Sequence, residues 1–206
     1  MFPGIPIPVI GLTGPTGAGK SLAAGIFRDL GCAVLDGDVL ARKVQRPGSP
    51  VLGRLAETFG PEILRADGSL DRAALAARAF ASQTARALLN EITHPAIHAL
   101  AAERAAALPP GIPALVIDAA ALLESEFAAR CDHIVLVTAP EELRLRRILA
   151  RDGIPAEAAL RRIKIQPAGA YDISRCDTVI ENTGNPAGLR PALEGVLVLV
   201  RSQTGP

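Results

Sequence analysis

Short apolar runs alternate with amphipathic stretches along this chain, the arrangement expected of a parallel sheet wrapped by helices. Val9-Ile10-Gly11-Leu12-Thr13 predicts a short buried strand, and Ser21 to Leu30 predicts a helix with Gly31 as its stop signal. A second strand is expected over Cys32-Ala33-Val34-Leu35, closing on Asp36-Gly37-Asp38 and lying beside the first. A third spans Ala114 to Asp118 and a fourth His133 to Thr138. A fifth, Thr178 to Ile180, stops at Glu181-Asn182-Thr183-Gly184. Gly195 to Val200 could pass for a sixth strand, but it follows Asn185-Pro186 and is read here as the end of a closing helix.

Between the second and third strands lie about eighty residues of mostly helical pattern, too many for a simple crossover. Pro47, Pro50, Pro61, Gly68 and Pro95 are expected to divide this stretch into several helices. An insertion over the carboxyl edge of such a sheet is a natural place to hold a second substrate. Another helical stretch runs from Pro140 to about Gln166, broken near Gly153-Ile154-Pro155. The organisation expected is one domain, with a core of residues 5–45, 112–140 and 176–206. The helical insertion occupies about 46–111 and a short lid about 141–170.

The strongest chemical signal is Gly14-Pro15-Thr16-Gly17-Ala18-Gly19-Lys20-Ser21, which fits G-x-x-x-x-G-K-[ST], the phosphate-binding P-loop. The glycines let backbone N–H groups turn toward a β-phosphate without a Cβ in the way. Lys20 brings a point charge to the β- and γ-phosphates, and the Ser21 hydroxyl is a Mg²⁺ ligand. Only three lysines occur in the chain, Lys20, Lys43 and Lys164, so a chance match is improbable. Strand, loop and helix also follow in the order the chemistry requires. A glycine-rich turn that merely starts a helix would need none of this context.

Composition narrows the classes. A net charge of +1 leaves no broad basic field for nucleic acid, and 3% aromatic residues leave few platforms for stacking bases. Cys32, Cys131 and Cys176 are odd in number and widely spaced, which favours free thiols in a reducing compartment over disulfides or a zinc site. No apolar run reaches membrane-spanning length, and Met1-Phe2-Pro3-Gly4 lacks the basic start of a signal peptide. The expectation is a cytoplasmic enzyme with a small-molecule partner, without a nucleic-acid or membrane partner. Oligomeric state leaves no mark on the sequence.

The acceptor decides which P-loop chemistry applies. Neither N-K-x-D nor D-x-x-G occurs, which argues against a GTPase. Asp118 is followed by Ala119-Ala120-Ala121, so no carboxylate follows it to polarise a water. A kinase acting on a bound hydroxyl fits better, and it needs a carboxylate near the acceptor oxygen. Alternation along an extended Asp36-Gly37-Asp38 would put both carboxylates on one side, one toward the Mg²⁺ water shell and one toward the hydroxyl. Either aspartate would equally serve to cap a helix beginning near Val39. Arg144, Arg147 and Arg151 recur at i, i+3 and i+7, one helix face, as in a lid that neutralises a transferring phosphoryl group. A solvated face of Glu–Arg pairs would give the same spacing.

Taken together, these strings resemble the dephospho-CoA kinase family over nearly the whole chain. Gly11 to Ser21 is similar to its P-loop, with Thr13 ahead of it, and Leu35 to Arg42 to its D-A-D-x-x-A-R segment. Gly68-Ser69-Leu70-Asp71-Arg72 and Leu89-Asn90-Glu91-Ile92-Thr93-His94-Pro95-Ala96-Ile97 resemble its CoA-binding helices. Asp118 to Glu124 looks like D-x-P-L-L-x-E, and the lid Arg144 to Asp152 looks like its R-x-x-x-R-D segment. The resemblance implies ATP and Mg²⁺ as cofactors and dephospho-CoA as the acceptor, phosphorylated on its ribose 3′-hydroxyl. It implies catalytic roles for Lys20, Asp38 as base and Arg147. Nucleotide contacts would come from Gly14, Gly17, Ala18, Gly19, Lys20, Ser21, Leu22, Asn182 and Gly184, with Ser21 on the metal. Acceptor contacts would come from Thr13, Asp36, Asp38, Arg72 and His94.

The chain departs from that pattern in four places. Leu22 replaces a hydroxyl residue after Ser21, Gly37 stands for Ala, and Ala120 stands for Pro. Pro167-Ala168-Gly169-Ala170-Tyr171 lacks an arginine many relatives carry. The rivals are a kinase for another small acceptor, such as a nucleoside monophosphate or shikimate, and a non-catalytic ATP-binding module.

Overall fold

A computed structural model of the chain describes residues 6–165, 171–184 and 186–203. It divides into two compact units, Met1–Asp36 with Ala105–Pro206, and Gly37–Arg104. The first unit is built on five parallel strands, β1 (Val9–Thr13), β2 (Ala33–Asp36), β3 (Leu115–Asp118), β4 (His133–Thr138) and β5 (Thr178–Glu181). Their order across the sheet is β2-β3-β1-β4-β5. Strand β1 is buried at every residue, as a central parallel strand covered on both faces must be.

The sheet order corrects one expectation. Strand β2 lies at the edge and pairs with β3, so β3 and not β2 is the neighbour of β1. Asp118 is thereby brought into register with Leu12 on one side and Asp36 on the other. Strand order in a parallel sheet is set by long crossovers, which leave no local pattern to read.

Helices α1 (Lys20–Asp29) and α8 (Pro186–Gln203) cover one face of this sheet. Phe27 and Ala23 of α1 and Leu189, Leu193, Val196 and Val200 of α8 pack with Ile10, Leu12, Val116, Val135 and Val137. The apolar run from Gly195 to Val200 therefore belongs to a helix, as read from the sequence. Helix α6 (Glu141–Asp152) ends at Gly153, which turns at φ 61°, and α7 (Ala156–Lys164) starts after Pro155. Ile148 of α6 meets Ala159 and Ile163 of α7.

The second unit is helical. It contains α2 (Gly37–Val44), α3 (Pro50–Phe59), α4 (Arg72–Ala79) and nearly all of α5 (Gln83–Ala106). Ser49 caps α3 by accepting from Leu52 N, and Asp71 caps α4 by accepting from Ala73 N and Ala74 N. Leu52, Leu55, Phe59, Ile63, Leu70, Leu75, Ala79 and Ile92 form its core.

Two local expectations fail here. Asp36 closes β2 and Gly37 already opens α2, so Asp36 and Asp38 do not share an extended segment. Pro95 does not divide the helices but sits inside the continuous α5. Proline removes one intrahelical hydrogen bond and clashes with the preceding turn. Pro95 and Glu91, whose carbonyl loses its partner, are both exposed, while Ile92 on the inner side joins the core. Packing of that face outweighs the local penalty.

Among the described residues no helix is long and apolar enough to cross a membrane. Cys32, Cys131 and Cys176 are free thiols, and burial raises the Cys32 and Cys131 pKa values to about 11 and about 12.

Phe27 is fully buried between α1 and the sheet, whereas Phe80 is 64% exposed. Urea unfolding followed by circular dichroism should show Phe27→Ala losing about 3–5 kcal/mol of stability. Phe80→Ala should stay within about 0.5 kcal/mol of the parent protein. Equal effects would contradict this assignment of the core.

Candidate phosphoryl-transfer site

The segment from Gly14 to Gly19 turns between β1 and α1, and Gly19 serves as the N-cap of α1 at φ 105° with no side chain capping it. An uncapped helix start presents N–H groups and a partial positive charge, the elements of an anion site. A Cβ on Gly19 would stand 2.1 Å from Asn182 Nδ2, and one on Gly14 would stand 2.3 Å from the Val137 carbonyl oxygen. Both glycines are required by close approach of β4 and the loop after β5.

Lys20, the first residue of α1, donates to Asp118 Oδ1 at the end of β3. Asp118 is 5% exposed. Burial pushes its carboxyl pKa up, partly opposed by the Lys20 hydrogen bond and charge, while nearby Asp36 pushes it further up. Sequence reasoning gave Asp118 no role of its own. An aspartate closing an apolar strand was the available signal, but only the sheet order brings it to the P-loop lysine. Thr13 is buried and donates from Oγ1 to the Ala120 carbonyl at 3.2 Å.

Two arginines of α6 hold the loop from its outer side. Arg144 donates from Nε to the Thr16 carbonyl at 2.9 Å. Arg147 donates to the Gly17 and Ala18 carbonyls at 3.2 and 3.0 Å, and to the carbonyl and Oδ1 of Asn182 at 3.3 and 3.1 Å. Buried Asn182 adds a bond from Nδ2 to the Ala18 carbonyl at 2.8 Å, and its Oδ1 also accepts from Gly184 N. In a trans peptide the carbonyl and the following N–H point in opposite directions. Fixing the Thr16 and Ala18 carbonyls in this way therefore aims the Gly17 and Gly19 N–H groups away from Arg144, Arg147 and Asn182.

The arginine stripe is thus split. Arg144 and Arg147 reach the loop, but Arg151 pairs with Asp152, which also binds Arg162 of α7 at 2.6 Å. Burial lowers the Arg144 pKa, though an arginine remains charged. Ser21 and Leu22 are exposed on the first turn of α1. The segment Gln166–Ala170, where the family's arginine is missing, lies outside the described residues.

Several of the predicted acceptor residues belong to the second unit. Asp38, Ala41, Arg42 and Arg72 line a cavity of about 230 Å³. Asp38 is exposed in the first turn of α2, and its carbonyl accepts from Arg42 Nε at 3.1 Å. Arg72 is braced by a 3.0 Å bond to Oε1 of buried Gln45, a support the sequence gave no reason to select. His94 is half-buried on α5 with its ring 5.9 Å from that of His98, and it does not line this cavity.

The dephospho-CoA kinase family model matches residues 8–187. A dephospho-CoA kinase from Syntrophotalea carbinolica is 42% identical over 200 residues, covering 96% of this chain and 95% of its own. One from Anaeromyxobacter dehalogenans is 40% identical over 198 residues, covering 96% and 94%. Among solved structures, a Thermus thermophilus protein superposes with a TM-score of 0.79 at 32% identity, covering 94% of this chain and 98% of its own. With a phosphate loop, a family match over most of its length and relatives above 30% identity across nearly all of it, this chain belongs to the dephospho-CoA kinase family.

Proposed function

We propose that the protein transfers the γ-phosphoryl group of ATP to the ribose 3′-hydroxyl of dephospho-CoA, giving CoA and ADP, the last step of coenzyme A synthesis. The observation that carries the mechanism is the P-loop clamp. The lid arginines orient the Gly17 and Gly19 amides, while buried Asp118 holds Lys20 at the loop. Family membership supports the choice of acceptor.

The loop amides and Lys20 bind the β- and γ-phosphates, where fixed donors cost no reorganisation as charge develops. Arg147, already at the loop, exchanges carbonyl partners for the equatorial oxygens of the transferring group. Asp38 orients the 3′-hydroxyl and accepts its proton. The 3′-oxygen forms the new P–O bond as the bond to ADP breaks in line with it. Arg72 and Arg42 suit the anionic groups of the acceptor, beside Asp38 in one cavity. His94 and Asp36 are proposed as further acceptor contacts, and Asn182 and Gly184 as neighbours of the nucleotide base.

The oxygen donors present suit Mg²⁺. Ser21 opens toward solvent at the start of α1, and the Asp36 and Asp118 carboxylates end adjacent strands. Mg²⁺ takes one or two protein oxygens and draws the rest of its shell from phosphates and water. Ser21 would hold it, and it would supply charge neutralisation for the phosphates.

Two variants test these roles by chromatographic assay of CoA formation. Lys20→Met should lower kcat by roughly 10²–10³, the cost of losing one preorganised donor. Asp38→Asn should lower kcat by roughly 10²–10⁴ with the KM for ATP little changed. Near-parental kcat in either variant, with a native circular dichroism spectrum, would contradict that residue's role.

A further inference from the structure

The second unit contains another cavity, of about 640 Å³, on α2, the start of α3 and the last turns of α5. Lys43, Arg46 and Arg104 bring three cations to it and Glu103 one carboxylate. Val44, Val51, Ala96 and Leu100 form a half-buried apolar wall. Among the described residues none of the three cations makes an ion pair within 4.0 Å. A helix C-terminus favours a basic residue in its last turn, which accounts for Lys43 on α2 and Arg104 on α5 taken singly. It does not account for their convergence, with Arg46, on one concavity.

This cavity is distinct from the one at Asp38. At 100° per residue, Asp38, Ala41 and Arg42 fall on one side of α2, whereas Lys43 and Val44 are turned roughly 120–140° from Asp38. A ligand here meets the opposite face of the helix that carries the proposed base.

We infer that the cavity lined by Lys43, Arg46 and Arg104 is a second ligand site, for a phosphate-bearing small molecule with a short apolar arm. Two guanidinium groups and an ammonium match a phosphomonoester by charge and by multiple donors. The apolar wall beside them takes the arm and gives such a molecule preference over inorganic phosphate. Glu103, also in the lining, disfavours ligands whose charge extends along the arm.

n-Butyl phosphate is the probe. It carries one phosphomonoester on a short apolar arm and no nucleoside, so it lacks the hydroxyl that the Asp38 side is proposed to bind. Isothermal titration of the full chain, with dephospho-CoA present and absent, reads the site without relying on catalysis. The expected result is binding that saturating dephospho-CoA does not displace and that exceeds the binding of inorganic phosphate or n-butanol. Lys43→Glu/Arg46→Glu should weaken it about tenfold or more, since charge-assisted hydrogen bonds are lost. Arg104→Gln, a milder change on a different helix, should weaken it in the same direction. CoA formation without the probe should be unchanged in both variants, which separates this site from the proposed catalytic one. Absence of phosphate-dependent binding, competition by dephospho-CoA, or undiminished binding in both variants would each overturn the inference.

Discussion

The loop between β1 and α1 is held from two sides, and the proposed chemistry depends on that constraint. On the sheet side, Lys20 is tied to Asp118, a buried carboxylate whose charge needs a partner. On the outer side, Arg144, Arg147 and Asn182 collect the carbonyls of Thr16, Gly17 and Ala18. With the Thr16 and Ala18 carbonyls engaged on that side, the Gly17 and Gly19 amides face the other, while the Ala18 amide donates to the Pro15 carbonyl within the loop. In the proposed anion site these two amides are therefore oriented by the protein's own hydrogen bonds before any phosphate arrives.

That arrangement gives α6 two different jobs along its length. Its first half is stitched to the loop by Arg144 and Arg147. Its last turn instead belongs to an ion-pair cluster with α7, through Arg151, Asp152 and Arg162. The cluster is largely exposed on its arginine side, where each pair contributes little stability. Ile148, fully buried against Ala159 and Ile163, does more to keep the two helices together. Leu145, Leu149 and Ile154 pack against the same small cluster, so the helix pair has an apolar core of its own while its arginines fix it to the loop.

Much of the fold was legible because it is written locally. Apolar runs bounded by glycine and aspartate marked the five strands to within one residue, and the glycine motif marked the loop. The closing helix was readable because Leu189, Leu193, Val196 and Val200 repeat at helical spacing. What local pattern could not supply was adjacency. The position of β2 at the sheet edge, and hence the pairing of Lys20 with Asp118, arises from strands about a hundred residues apart in sequence. Pro95 misled because the penalty it imposes is local while the packing of Ile92 that overrides it is not. Asp36 and Asp38 misled because the helix begins two residues earlier than expected, at Gly37 rather than near Val39. Arg144 and Arg147 looked alike with Arg151 on a helical wheel, and only the position of the loop tells them apart.

The most direct test of the account is ADP release by the purified protein with Mg·ATP, measured alone and with dephospho-CoA, AMP, CMP or shikimate as acceptor. Strong stimulation by dephospho-CoA only, with CoA as the product, is the expected result. Release that ignores the acceptor, or that responds better to AMP, CMP or shikimate, would contradict it.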